Sequence, residues 1–221
     1  MDYRSLIFDL GAMPYDHMTR HAYWRQHCRE MVDAFPEPTG DDARRLVLDL
    51  GCGPGVSALA FKDVAPDDQV VGVDISGPMV RRALRNDTSR RCSWLKGDAL
   101  RLPFPNGLAD VVTGHSFLYL IPDRRGALRD IARVLRPGGC LVLLEPRRQG
   151  FVGDTRSVGR ILRTVGPQFA LTMGMWRIVA AASGAFPEGA LQELLGEEGF
   201  TDVRTTPTIE GLGWMVEATR P

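Results

Sequence analysis

Apolar residues recur along this chain with two different periods. Trp24, Cys28, Met31, Val32 and Phe35 return at helical spacing, which predicts an opening helix over 19–35, capped by Thr19 and stopped by Pro36 and Pro38. The stretch "RLVLDL" (45–50) then reads as an unbroken buried strand, and Val56, Leu59, Ala60 and Val64 place a helical stripe behind it. The alternation repeats with strand 69–74 ("QVVGVD"), helix 78–85, and strands 92–98 ("CSWLKGD") and 109–114 ("ADVVTG"). A helix over 124–135 follows, with Leu128, Ile131, Ala132 and Leu135 on one side, then the turn "RPGG" (136–139) and the strand "CLVLLE" (140–145). Strands alternating with helices predict a parallel sheet covered on both faces.

The tail changes pattern. A helix over 187–200 turns Leu191, Leu194 and Leu195 inward and ends at Gly199, with Phe200 placed for the apolar contact of a glycine C-cap. Strands around 201–206 and 213–219 are too close for a parallel crossover, so they predict an antiparallel hairpin at the sheet edge. Between 146 and 186 lies a mostly helical stretch that the alternation does not require.

Length and composition narrow the class. The 221 residues suit one large α/β domain, 1–221, with 1–40 as a helical cover and 146–186 as a helical insertion. With 27 basic and 27 acidic residues, no field over the whole surface would hold nucleic acid or an anionic membrane. Cys28, Cys52, Cys92 and Cys140 have no CxxC spacing and three sit in apolar patterns, so they read as buried thiols and no metal site is expected. The first residues lack the pattern of a secretory leader, and the apolar run near 169–182 is broken by Thr172, Gly174 and Arg177. A cytoplasmic protein without a transmembrane segment is expected, as monomer or homodimer.

The candidate chemistry starts at "VLDLGCGPG" (47–55), where a strand meets glycines at 51, 53 and 55. A glycine turn that opens a helix offers bare main chain at the positive helix end, free of side chains. The dinucleotide fingerprint GxGxxG is not met, because its third glycine falls on Val56. Asp74 ends the second strand, where a carboxylate accepts from ribose hydroxyls, and Asp98 follows the third, where it accepts from an exocyclic amine. Each aspartate alone is equally explained as the cap of the turn behind it.

In order, "VLDLGCGPG", "VVGVDIS", "GDALRLPFPNGLADVV" and "LRDIARVLRPGGCLVLLEP" resemble the successive motifs of class I S-adenosylmethionine-dependent methyltransferases over residues 45–145. The resemblance implies a Rossmann-like α/β fold: a seven-stranded, mostly parallel sheet whose last strand is antiparallel, with helices on both faces. It implies S-adenosyl-L-methionine as cofactor. The turn carrying Asp49, Gly51, Cys52, Gly53 and Gly55 would take its aminoacid part, Asp74 with Ile75 its ribose, and Asp98 with Ala99 its adenine. The stretch "YDHMTRHAYWRQ" (15–26) is similar to the corresponding region of ubiquinone and menaquinone C-methyltransferases. On that resemblance Tyr15 and Thr19 close over the methionine end; otherwise Tyr15 anchors the N-terminal helix.

Methyl transfer from a sulfonium is an in-line displacement, so alignment and exclusion of water carry most of the rate. A base is needed only where the acceptor keeps its proton. His115, in "TGHSFLYLIPD", is the best-placed base and also a cofactor-lining candidate through its backbone. Tyr119 is its orienting partner or a packing residue, and His17 and His21 are second choices. Glu145 either binds a polar substrate group or pairs with Arg147 or Arg148. Phe169, Met173, Met175 and Trp176 suggest that 146–186 forms an apolar substrate lid, or else packs the extra helices. Arg156, Arg160 and Arg163 share one helical face, which is either solvated or a peripheral membrane contact. The basic run Arg81, Arg82, Arg85, Arg90 and Arg91 lacks interleaved aromatics, against nucleic acid as a partner. A small-molecule acceptor is therefore expected; the alternatives are an RNA-directed methyltransferase, a non-catalytic partner subunit of the same fold, and an NAD-linked dehydrogenase.

Overall fold

A computed structural model of the chain describes residues 19, 21–38, 44–148, 163 and 167–221; the side chains of 167–173 and 175 lie outside that description. The opening helix is shorter than its periodicity predicts. Helix α1 (Ala22–Glu30) is capped by His21, whose Nδ1 accepts from Tyr23 N–H at 3.2 Å, and it tightens into one 3₁₀ turn at Met31–Ala34. Thr19, expected to be the cap, is buried ahead of the helix.

Strand β1 (Leu46–Leu50) leads into α2 (Val56–Val64), then β2 (Gln69–Asp74), α3 (Gly77–Asn86), β3 (Ser93–Lys96) and β4 (Ala109–His115). Helix α4 (Arg124–Val134) runs directly into β5 (Leu135–Pro146), followed by α5 (Pro167–Ser183), α6 (Ala190–Glu197) and the hairpin β6 (Thr201–Thr208) and β7 (Gly213–Thr219). The seven strands lie in the order β3-β2-β1-β4-β5-β7-β6. Strand β7 runs against β5 and β6, and the remaining pairs are parallel. The α/β class, the antiparallel last strand and the hairpin at the edge thus stand as the sequence implies. Pro207 is tolerated in β6 because that edge strand has a partner on one side only.

Period two sorts the strand residues onto two cores. Val47, Val111, Val142 and Leu144 meet Trp24, Cys28, Met31 and Phe61 from α1, its 3₁₀ turn and α2. Leu48, Leu50, Val112, Leu141 and Leu143 meet Leu128, Ile131, Leu191 and Leu195 from α4 and α6. Fully burying one such aliphatic side chain stabilises the fold by about 1.5–3 kcal/mol. One expectation changes at "RPGG". Ala109 pairs with Leu135 and Val111 with Cys140, so residues 136–139 bulge out of a strand that begins as α4 ends, with Gly138 at φ 74°.

The insertion leaves and rejoins the domain at one place, where Arg148 N–H donates to Phe186 O at 2.7 Å and Phe186 N–H to Pro146 O at 3.2 Å. Trp176 and Ala180 of α5 are buried. Arg156 and Arg160 lie outside the described residues, as do the side chains of Phe169, Met173 and Met175; Arg163 is exposed. Arg91 is partnered instead of presented, since Asp63 takes Arg25, Arg29 and Arg91 at 2.8–2.9 Å and ties α1 and α2 to the start of β3. Among the described residues no helix is long and apolar enough to cross a membrane.

Candidate active site

The sheet order reverses between β1 and β4, and the carboxyl ends of their neighbours open there into a cleft, as they do in open α/β sheets generally. The cleft has a volume of about 310 Å³. Leu50, Gly51 and Gly53 form one wall, and Asp74, Ile75 and Met79 continue it at the end of β2. Asp98, Ala99 and Leu100 follow after β3. Opposite stand Ser116, Phe117 and Tyr119, with Leu120, Ile121, Pro122 and Val179 as an apolar mouth.

The glycine turn is left-handed at Gly51, Gly53 and Gly55, at φ 63°, 52° and 89°, a conformation that favours glycine. Two of these positions also admit an aromatic ring. A Cβ on Gly51 would lie 2.7 Å from Phe117, and one on Gly55 would lie 2.5 Å from Trp94. Three N–H groups of the turn are already engaged. Cys52 N–H donates to Val73 O at 3.1 Å, Gly53 N–H to Asp74 Oδ2 at 2.8 Å and Gly55 N–H to Cys52 O at 2.9 Å. Bare main chain faces the cleft at Gly51 and Gly53, while Cys52 and Gly55 stand behind its wall.

Asp74 is almost buried, and its second oxygen accepts from Ser76 N–H at 2.8 Å. Asp98 is exposed at the rim, with Oδ1 accepting from Leu100 N–H at 3.0 Å. Both aspartates therefore serve their own turns and line the cleft at once. Asp49 lies deeper, fully buried outside the lining, and accepts from the hydroxyls of Ser57 at 2.6 Å and Thr113 at 3.0 Å. Burial pushes its carboxyl up to about 6, against the pull of those two hydroxyls. It braces β1 to α2 and β4.

The opposite wall hangs from one carboxylate. Glu145, fully buried at the end of β5, accepts from three successive main-chain N–H groups: Phe117 at 3.0 Å and Leu118 at 2.7 Å on Oε1, and Tyr119 at 3.1 Å on Oε2. It pairs with neither Arg147 nor Arg148, contrary to one of the two roles expected of it. Burial raises its carboxyl to about 7, with the three donors pulling the other way. Burial and the nearby Glu145 raise the Tyr119 phenol, so it keeps its proton at neutral pH.

His115 does not reach the cleft. Alternation along β4 turns its ring to the α1 side, where it packs 4.5 Å from Trp24, and its Nε2 is buried without a partner among the described residues. Burial lowers its pKa to about 3. A base role for His115 is therefore corrected: the imidazole faces apolar rings, away from the lining, and stays neutral there. The residue beside it was missed. Ser116 lines the cleft at φ 54°, and its Oγ accepts from Trp176 Nε1–H of α5 at 3.2 Å. A polar residue directly after a buried strand, inside an otherwise apolar run, was the available signal for Ser116.

A family model described as a methyltransferase domain matches residues 48–143. The demethylmenaquinone methyltransferase of Thermus thermophilus is 36% identical over 168 residues, covering 73% of this chain and 76% of that protein. The nocamycin O-methyltransferase of Saccharothrix syringae is 33% identical, covering 95% and 79%. The chain belongs to the class I S-adenosylmethionine-dependent methyltransferases. A solved methyltransferase from Thermotoga maritima shares its fold, with a TM-score of 0.68 at 20% identity over 99% of this chain and 100% of that one.

The cofactor of this methyltransferase is S-adenosylmethionine, and the chemistry of the cleft fits it. Among the described residues the lining holds two carboxylates and no Lys, Arg or His, which suits a sulfonium that also carries an ammonium. It does not suit a dinucleotide. The Gly53 N–H that would cradle a pyrophosphate is already held by the Asp74 carboxylate at 2.8 Å, so two anions would meet there. Of the remaining expected contacts, Tyr15 and His17 lie outside the described residues, Thr19 is buried without lining the cleft, and His21 caps α1.

Proposed function

We propose that this methyltransferase transfers the methyl group of S-adenosylmethionine to an oxygen, nitrogen or carbon of a small, partly apolar molecule. The observation that carries this reading is the composition of the single cleft described above: carboxylates and bare glycine main chain at one end, Leu120, Ile121, Pro122 and Val179 at the other. Relatives named for demethylmenaquinone and nocamycin support an acceptor of that class. When bound, the cofactor supplies an electrophilic methyl on a positively charged sulfur. Gly51 and Gly53 admit its aminoacid part, Asp74 with Ile75 holds its ribose and Asp98 with Ala99 its adenine. Phe117 closes over Gly51 and keeps water from that end.

Among the described residues of the lining, the Tyr119 phenol is held protonated and both aspartates accept from main-chain donors, so none is a ready base. Rate therefore comes from alignment, which supplies roughly 7–11 kcal/mol in well-positioned reactions. Tyr119 orients the acceptor as a donor. Helix α5 acts as the acceptor-side lid, with Val179 lining the cleft. Four free thiols accord with a reducing, cytoplasmic setting.

Titration calorimetry with S-adenosylhomocysteine tests the reading. One equivalent should bind, and Asp74→Ala should weaken it about 10- to 100-fold, the scale of losing charge-assisted hydrogen bonds. A wild-type protein that releases no heat with this ligand would sink the reading.

A further inference from the structure

Ser116 is in an unusual position for a serine. It lies directly beyond β4, only 5% exposed, with φ at 54°, a left-handed conformation that a non-glycine residue adopts at a cost. Its N–H donates to Leu144 O at 2.7 Å, which fixes the kink against β5. Its main chain is therefore fixed in the cleft wall. The Ser116 hydroxyl has a half-filled set of partners. An indole N–H only donates, so the 3.2 Å contact from Trp176 Nε1 consumes an acceptor site on Ser116 Oγ and leaves the hydroxyl hydrogen to be given elsewhere. Among the described residues no hydrogen bond takes it. A buried donor left unmade is costly, and Ser116 lines the cleft.

We propose that Ser116 is the donor this methyltransferase presents to an oxygen of its methyl acceptor, with Trp176 of α5 aiming the hydroxyl. The inference rests on the methyl-transfer reading above and narrows it: the acceptor carries a carbonyl, phenolic or alcoholic oxygen beside an apolar body. The surroundings give the second half of that description. Leu120, Ile121 and Pro122 follow Ser116 into the mouth of the cleft, and Val179, one turn of α5 beyond Trp176, faces them across it. Trp176 thereby joins the two halves of acceptor recognition, since one helix both sets the hydroxyl and supplies an apolar contact. Ser116 is a specificity-determining residue in this scheme, and Trp176 is a positioning residue.

The test uses the full chain saturated with S-adenosylhomocysteine and two probes of one shape, 1-tetralone and its hydrocarbon counterpart tetralin. Binding of each probe to the wild type and to every variant is followed by titration calorimetry. The wild type should favour tetralone over tetralin by about three- to tenfold more than Ser116→Ala does, the worth of one hydrogen bond. Ser116→Gly, which is at ease at positive φ, should behave as Ser116→Ala and keeps the test open if the alanine variant folds poorly. Trp176→Phe should lose part of the preference. S-adenosylhomocysteine affinity should stay within twofold in both Ser116 variants. A tenfold weaker affinity there would assign the hydroxyl to the cofactor and overturn the proposal. So would a preference that survives removal of the hydroxyl, or a wild type that binds neither probe. Loss of S-adenosylhomocysteine binding by the wild type would instead strike the methyl-transfer reading itself.

Discussion

The wall made by β1, β2 and β3 carries each of its polar groups at a strand end, and successive strand–turn–helix units satisfy one another, Gly53 after β1 donating to Asp74 of β2. The wall facing it is assembled at long range: Glu145 arrives from β5 to hold residues 117–119, and Trp176 from α5 to reach Ser116. The first wall satisfies its main chain within itself, as when Gly53 and Ser76 donate to Asp74. The second borrows its acceptor from a distant strand. Neighbouring parallel strands and their turns hold the first wall, whereas a carboxylate from β5 lets the second wall change independently. That division suits an enzyme in which one side of the cleft serves a fixed cofactor and the other a variable acceptor.

The sharpest way to break this comparison is to remove the borrowed carboxylate. Glu145→Ala leaves three buried N–H groups without an acceptor and should cost on the order of 3–5 kcal/mol in chemical denaturation. Glu145→Gln should recover part of that, because one amide oxygen replaces Oε1 while its NH₂ confronts Tyr119 N–H. In the Gln variant the KM for acceptor should rise by more than the Kd for S-adenosylhomocysteine. Equal effects on both ligands would show that the two walls are one unit.

A second measurement concerns His115, which belongs to the packing behind the cleft. Its folded pKa of about 3 lies below the ordinary value of 6.5, so it contributes stability that is present above 6.5 and lost as pH falls towards 3. By pH 5 this loss amounts to about 2 kcal/mol. His115→Phe should flatten the wild-type stability curve between pH 7 and 5 by that amount, with S-adenosylhomocysteine affinity unchanged. Asp49 and Glu145, raised to about 6 and about 7, act with the opposite sign. Their contributions are present below pH ~4 and lost as pH rises through those values. An unaltered acid limb in His115→Phe would place the imidazole in water after all.

The smallest effect is expected at Asp98, which sits exposed on the rim and gives one oxygen to its own turn. Asp98→Ala should weaken S-adenosylhomocysteine about three- to tenfold, less than Asp74→Ala. A larger loss than at Asp74 would reverse the ranking of the two strand ends.

Legibility in the sequence followed the same division. Strand β2 coincides with the range read from "QVVGVD", and Gly51, Gly53, Asp74, Ile75, Asp98 and Ala99 all line the cleft as motif order placed them. Motifs of this kind are local, so backbone geometry follows from spacing. His115 and Ser116 show where spacing fails, because a one-residue step at the end of β4 decides which side chain enters the cleft. The kink at Ser116 and the turning of His115 towards Trp24 depend on contacts from α1, β5 and α5. The carboxylate of Glu145 was visible as an acid at the end of an apolar strand. Its three partners were not, since they lie 26–28 residues earlier in the chain.

By itself the sequence determined the alternating α/β order, the two-sided burial of the strands and the glycine turn at the cleft, because periodicity and left-handed glycines act over a few residues. The tertiary structure decided which polar groups are spent internally and which face the cleft. Whether a buried N–H, carboxylate or imidazole is satisfied depends on what folds against it, and no stretch of chain carries that information alone.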